Sequence, residues 1–583
     1  MTDLNSDRIY TAISFAPVQG FIEKSRKLRD LYGASLILSY LSQKIAQTAE
    51  EHLGKESIIS PGLINLQKGM PNRILVRGEL TREIVQKAFL GEWQRILEIC
   101  RQWVENNIGI PKEEYDWAQR PDQTNLGEWE KWGKYAWEIF IGWGRPDPND
   151  TTKNLIQVAM EDLETRKLKR DWIAINWVGE SSSLSGTDTI VWHRLGKPRH
   201  PGYPFTEAEN AEIKHFYRQL AWVLDDPYQR KNQLAPAGIE IEGKYIAENE
   251  RLSVPELVKR LVTLPKIAKQ IGINQLEEGF KDIVREAGYW TGWFIGDGDK
   301  VGDKLKQLAE QDANDRVQQE NKLLLFSNMM RGWGEKFEHQ KGLFPQGKGR
   351  VIYAGGDDFM GVLYTPETEN EKKLKPIEAW NWLLSLPKQW EKLQDDLKKE
   401  LDFKDDKQFT YSVGFVWAGH QVPQRDILQH CREAEQRSKS LGRNRVTIRV
   451  LFNSGQYVQW TCPWKYKYQE KEKELDALTI LTRYRDRDGI QRTKDDSTKI
   501  PNWNHIYSDW ATLKARHAIQ LDKSDSKHKK IAIALFDLYF DQAGTEFESK
   551  RLWHHLTGDN SPQSIVNWIN DLIEVGWHLC RKQ

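Results

Sequence analysis

Residues 350–364, RVIYAGGDDFMGVLY, place apolar β-type runs on either side of Gly355-Gly356-Asp357-Asp358. Consecutive glycines supply the positive φ angles of a tight primed turn, so the segment predicts a β-hairpin with both aspartates at its tip. Val351, Tyr353, Met360, Val362 and Leu363 are the residues of buried central strands. Acids next to such strands lose hydration, which is costly unless a cation meets them. An ordinary hairpin with solvated carboxylates accounts for the tetrapeptide taken alone just as well.

A second acidic pair precedes it. In YWTGWFIGDGDKVGDKL, residues 289–305, an aromatic β-favouring run ends in Asp297-Gly298-Asp299 and gives way to a helical pattern. Residues two apart on a strand share a face, so both carboxylates can address one ion, with the Gly298 carbonyl nearby. Mg²⁺ suits such a site, because it takes oxygen ligands and prefers carboxylates plus substrate phosphates to a full protein cage. A third segment, REAEQRSKSLGRNRVTIRVLF at 432–452, predicts a helix ending at Gly442 and then a strand. Lys439 and Arg443 either complement the helix dipole or bind phosphates.

The remainder sets the frame. A chain of 583 residues is too long for one hydrophobic core. No uninterrupted apolar stretch reaches the ~18 residues of a membrane span, and the polar N-terminus lacks the blocks of a secretory signal, so a cytoplasmic location is expected. Cys100, Cys431, Cys462 and Cys580 have no zinc-site spacing. A net charge of +1 is not that of a stand-alone nucleic-acid binder, so any nucleic acid is held locally or by partners.

RIYTAISF at 8–15 predicts a strand, and the periodic stretch from Val18 to Leu53 a helix with Lys24, Arg26, Lys27 and Arg29 crowding its first turns as a solvated basic face. NRILVR at 72–77 and WIAINW at 172–177 predict further strands, with helices around Glu83–Asn106 and Glu128–Trp143. RPDPNDTTK at 145–153 is a loop and GKPRHPGYP at 196–204 a boundary. Residues 205–285 are helical in pattern, Ser253 and Glu256 have capping-box spacing, and Pro255 falls in a first helical turn. The expected organisation is α+β: two ferredoxin-like domains at 1–190 and 286–455, a helical insert at 191–285 and a helical domain at 456–583.

In order, the chemical segments read strand with DxD, helix, GGDD hairpin, strand YSVGFVWA at 411–418, helix, GRNRV. That order resembles the GGDEF and Palm nucleotidyl-cyclase families. The resemblance implies two metals, Mg²⁺ or Mn²⁺, held by Asp297, Asp299, Asp357 and Asp358, with Asp297, Asp357 and Asp358 catalytic. It also implies nucleotide contacts from Gly298, Gly355, Gly356, Ser412, Lys439, Arg443 and Asn444. Ser412-Val413-Gly414 and Lys439–Asn444 match the S-x-G and AK-x-x-GRN patterns, with Ser438 in place of the alanine.

FAPVQGFIEKSRKLRDLYGASLILSYLS at 15–42, PNRILV at 71–76 and ERLSVPELVKRLV at 250–262 narrow the likeness. They resemble the large subunit of type III-B, or Cmr-type, CRISPR effector complexes. The resemblance implies an antiviral subunit that makes oligoadenylate from ATP, with other Cmr-type subunits, crRNA and target RNA as partners. In the family the first Palm-like domain faces the second across the nucleotide pocket, which would put the Lys24–Arg29 segment near phosphate or RNA. Many relatives carry an HD phosphohydrolase domain, but no His-Asp dipeptide occurs here, so HD-type DNA cleavage is not expected. Relatives often carry a cysteine zinc site where PAGIEIEGKYIAEN, residues 236–249, has none, so that stretch is expected to be held by packing alone. A GGDEF-type cyclase using GTP and a catalytically silent scaffold are the competing readings.

Overall fold

The computed structural model describes residues 8–580 except 65–68, 119–125, 148–153, 171–172, 174, 176, 178, 198–199, 201–202, 277–279, 312–314, 367–371, 402–408, 465, 468–473, 476–478 and 488–501. The chain divides into two compact units, residues 1–282 with 306–331 and residues 283–305 with 332–583. Half of the expected 172–177 strand, and the greater part of the 145–153 loop, lie outside the described residues, and Ile173, Ile175 and Trp177, which are described, are not in a strand.

In the first unit β1 (Tyr10–Ala16) leads through α1 (Val18–Glu23) and α2 (Leu28–Leu53) to β2 (Ile58–Ser60) and β3 (Arg73–Arg77). Helices α3 (Arg82–Asn107) and α4 (Glu128–Tyr135) then precede β4 (Glu138–Gly144). The sheet order is β2-β3-β1-β4 with antiparallel neighbours throughout. That is the ferredoxin-like solution for two strand-helix-strand passes over one face, so the sheet buries its apolar side under the helices. Phe15 and Phe21 meet Phe89, Trp93 and Trp137 there, with ring centroids 4.7–6.1 Å apart.

The expected helix over Glu128–Trp143 is corrected, since only Glu128–Tyr135 is helical and Glu138–Gly144 pairs with β1 along its whole length. Ile139, Phe140, Ile141 and Trp143 are β-favouring, and tertiary pairing outweighs the helical spacing. Helix α5 (Leu155–Leu168) lies directly on this strand: a Cβ on Gly144 would come within 1.8 Å of the Leu155 carbonyl oxygen.

Helices α6 (Glu207–Asp225), α7 (Val254–Leu261) and α8 (Pro265–Ile271) share the apolar core of this unit. At α7 the Glu256 carboxylate accepts from Ser253 N at 2.7 Å, and Pro255 sits in the first turn, as the spacing predicts. Packing alone does not hold 236–249. Asp225 accepts from Gly243 N and Lys244 N at 3.0 and 2.8 Å, and Arg218 donates to the Pro236 and Ile239 carbonyls at 2.8 and 3.0 Å. A stretch without regular secondary structure still has to satisfy its backbone.

The basic segment is a second correction. It breaks the long helix, separating α1 from α2, and its cations point inward. Lys24 pairs with Asp188 at 2.6 Å, Lys27 Nζ donates to Gly243 O at 2.6 Å, and the Arg29 guanidinium lies 3.9 Å from the Tyr245 ring centre. Arg26 alone of the four is largely exposed, 3.9 Å from Glu250. Three of the four cations thus serve as internal ties, and the segment is not simply a solvated face.

In the second unit β5 (Thr291–Gly298) is followed in the chain by α9 (Val301–Gln311) and α10 (Arg316–His339), of which residues 306–331 count with the first unit, and then by β6 (Arg350–Ala354) and β7 (Asp358–Leu363). After α11 (Pro376–Ser385) and α12 (Lys388–Leu401) come β8 (Tyr411–Ala418), α13 (Gln424–Ser440), β9 (Arg445–Leu451) and β10 (Tyr457–Pro463). The sheet runs β10-β9-β8-β5-β7-β6. Its β8-β5-β7-β6 part repeats the antiparallel ferredoxin-like order, and α13 carries the chain across to β9, parallel to β8. Phe359 centres the core, with Phe294, Trp333, Phe337, Trp390 and Tyr411 around it at 5.4–6.4 Å. The 456–583 span opens with β10, and the helix Pro562–Cys580 packs against that strand, where Trp568 Nε1 donates to Thr461 O at 2.9 Å. The four cysteines are buried free thiols.

Candidate active site

Strand pairing builds the site. In β5 Asp297 stands opposite Asp358 of β7 on one side and Ser412 of β8 on the other. Gly298 N donates to Asp357 O at 2.5 Å and Gly355 N to Asp358 O at 2.8 Å, so the backbone fixes the hairpin tip against the end of β5. Gly356 takes the positive φ of the turn, 115°, and its carbonyl accepts from the Tyr411 hydroxyl. Gly334 lets α10 approach, since a Cβ there would lie 2.5 Å from Ala354 O. Gly298 likewise has no room for a side chain beside Phe409 and Val301, each 2.8 Å from a built Cβ.

The two halves of the DxD pair have different surroundings. Asp297 is partly exposed and Asp299 is buried. Asp299 Oδ1 accepts from Ser412 Oγ at 2.6 Å, and Oδ2 from Thr410 Oγ1 at 2.7 Å and Asn444 N at 2.8 Å. The strand ends at Gly298, so the alternation that would aim both carboxylates at one ion does not reach Asp299. It ties β8 to the turn after α13, in which Gly442, Arg443 and Asn444 have φ of 122°, 65° and 50°. Three successive left-handed residues explain the glycine and asparagine of the GRN motif.

Lys439 is the cation of the site. Its Nζ lies 2.5 Å from Asp297 Oδ2 and 2.6 Å from Glu435 Oε1, one helical turn back. Burial pushes the Asp297 carboxyl up, Lys439 opposes that, and Asp299 adds to it. Glu435 is raised for the same reasons, and its two acidic neighbours favour the charged form of Lys439 against the cost of burial. The Tyr411 hydroxyl is pushed well up by burial first, then by Asp357, Asp297, Asp358 and Asp299. Tyr353 responds to burial and to Asp358, Asp297, Asp357 and Glu435 in the same way. All the expected acids therefore contribute to one negative field.

Oxygen donors with unbalanced negative charge suit a hard divalent cation. Among the described residues no three His, Cys, Asp or Glu side chains form a ready cage. A site completed by substrate phosphates needs only two facing carboxylates, which Asp297 and Asp358 supply. Sequence reasoning missed Glu435; its signal was the four-residue spacing to Lys439 on a helix.

Gly414 controls how closely α13 approaches. A Cβ there would lie 2.2 Å from Cys431 O and 2.6 Å from Glu435 N, both backbone atoms that cannot rotate away. Gly414→Ala is expected to cost about 1–3 kcal/mol and to displace Lys439, read as a lower melting temperature.

Two ferredoxin-like sheets, the second bearing facing acids at a hairpin and a helix-borne lysine, make this a protein with two palm-type domains. Residues 10–98 match the N-terminal family of the CRISPR-associated protein Cmr2, and residues 291–447 match the second palm domain of Cas10/Cmr2. These two segments carry domains of the Cas10/Cmr2 family, the large subunits of type III CRISPR complexes. No curated protein matches it. Among solved structures, the Csm1–Csm4 cassette in complex with pppApApA is similar at a TM-score of 0.48 and 14% identity, over 99% of this chain and 70% of that one. The same cassette with cA4 gives 0.46 at 15% identity, and the apo cassette 0.46 at 14%, over the same shares of each chain. Among the described residues no helix is long and apolar enough to cross a membrane.

Proposed function

We propose that the chain makes oligoadenylate from ATP at the hairpin site when its complex binds target RNA. The observation carrying this reading is the register that sets Asp297 opposite Asp358, with Lys439 Nζ 2.5 Å from Asp297. Palm-type nucleotidyl transfer is consistent with the family. Other Cmr-type subunits, crRNA and target RNA are the partners in this reading, and the cytoplasm its setting.

Asp297, Asp357 and Asp358 would hold two Mg²⁺ or Mn²⁺ ions, whose chemistry would be to neutralise charge on the attacking and leaving oxygens. Lys439 and Arg443 bind phosphate oxygens, and the bare backbone at Gly355 and Gly356 leaves space for the triphosphate. Ser412 and Asn444 act through Asp299, which organises the loop as a positioning residue and is not a metal ligand in this reading. The 3′-hydroxyl of one ATP attacks the α-phosphorus of another and pyrophosphate leaves. Positioning and charge neutralisation suffice, so no side chain need serve as nucleophile.

The test is incubation of the assembled complex with labelled ATP or GTP and Mg²⁺, with and without target RNA. Adenylate oligomers formed only with target RNA are expected. A cyclic dinucleotide from GTP, or no product from either nucleotide, overturns the reading.

A further inference from the structure

We infer that Glu435 is a positioning residue, which holds Lys439 in place for the triphosphate. This rests on the reading of the hairpin as an ATP site. Glu435 and Lys439 sit one turn apart on α13, and the Nζ bridges two carboxylates of unequal depth. The Glu435 side chain is 10% exposed, against 37% for Asp297, and Lys439 itself is 32% exposed. The lysine thus rises from a buried acid towards an exposed one. Its buried anchor is rigid, because the missing Cβ at Gly414 lets the backbone at Glu435 rest directly on β8.

Such unequal partners behave differently when the site fills. Asp297 is assigned to a divalent cation, which would neutralise that carboxylate and repel the ammonium. Glu435 then remains as the partner that keeps Nζ beside the site. A lysine side chain is a flexible stem with a point charge, and anchoring removes freedom that phosphate binding would otherwise have to freeze. Glu435 also has a direct effect of the opposite sign, since a negative charge near a triphosphate weakens its binding. The sign of the mutational effect therefore separates positioning from simple electrostatics.

The experiment uses the full chain in its assembled complex and an α,β-methylene analogue of ATP with Mg²⁺, titrated by calorimetry. KM and kcat for ATP are measured alongside. E435Q, close to isosteric, is expected to weaken analogue binding roughly tenfold and to raise KM by a similar factor, with kcat changed much less. K439Q weakens binding comparably, and E435Q with K439Q is no worse than K439Q alone, because the two act as a unit. Unchanged or tighter binding in E435Q, or fully additive losses in the double variant, overturns the role of Glu435 while leaving the ATP site standing. Wild-type complex that binds no analogue removes the ATP site and this role together. Melting temperatures recorded for each variant separate misfolding from lost affinity, and E435D, one methylene shorter, is expected to fall between wild type and E435Q.

Discussion

Asp357→Ala combined with Asp358→Ala is expected to reduce oligoadenylate formation by about 10³-fold or more while leaving the chain folded. The hairpin is closed by backbone atoms, Gly355 N to Asp358 O and Gly298 N to Asp357 O, and these bonds survive in alanine. Truncation also removes two of the charges that add to burial in pushing the Tyr353 and Tyr411 hydroxyls up, so repulsion among the remaining acids falls. What is lost is cation binding, and several kcal/mol of transition-state stabilisation correspond to a factor of thousands. Product formation from labelled ATP is the readout, with melting temperature and target-RNA affinity of the complex recorded in parallel. Undiminished product would remove the catalytic assignment. An unfolded variant would mean that the two carboxylates organise the turn.

The hairpin was legible because its signals are local. Glycines, β-branched flanks and adjacent acids all act within one turn, and the β5 and β8 runs carry the same kind of signal. The burial of Asp299 was not legible, because alternation along a strand says nothing about where the strand stops. Its true partners, Thr410, Ser412 and Asn444, are brought together only by sheet order. Glu435 was hidden for a related reason, since a glutamate four residues before a lysine is common on solvated helices. Only the close approach at Gly414 makes this one buried. At β4 the helical spacing of 128–143 was real, but an available edge of β1 decides for a strand. The Lys24–Arg29 cluster shows the converse, because cations look solvated in sequence when their acceptors are backbone carbonyls and acids about 160 to 220 residues away.

The second large effect lies in the first unit, at Arg260. It is fully buried between Asp30 and Glu250, donating to Asp30 at 2.6 and 3.2 Å, to Glu250 at 2.5 and 3.2 Å, and to Tyr245 O at 2.9 Å. Asp30 in turn accepts from the Arg26 and Lys27 amides at 2.8 and 2.9 Å, at the break that opens α2. Arg260→Ala strands two buried acids and is expected to cost about 3–5 kcal/mol. A variant lacking all three charges, Arg260→Met with Asp30→Asn and Glu250→Gln, should lose less, because nothing is left unpaired. The pH dependence gives an independent check. In the wild type burial pushes the Asp30 and Glu250 carboxyls up, but Arg260 overrides it and holds both below their ordinary values. Their contribution to stability is therefore complete above the unfolded carboxylate range, about pH 4, and is lost as pH falls through the lower folded values. Without Arg260 the burial effect is unopposed by its nearest cation, both folded values move above the unfolded ones, and the sign reverses. Arg260→Ala should then gain stability as pH falls from 7 to 5, over which the wild-type contribution is flat. Unfolding measured at several pH values in that window, as the difference between wild type and variant, reads this directly. A difference that stays constant with pH would mean that the two acids find other partners once the arginine is gone.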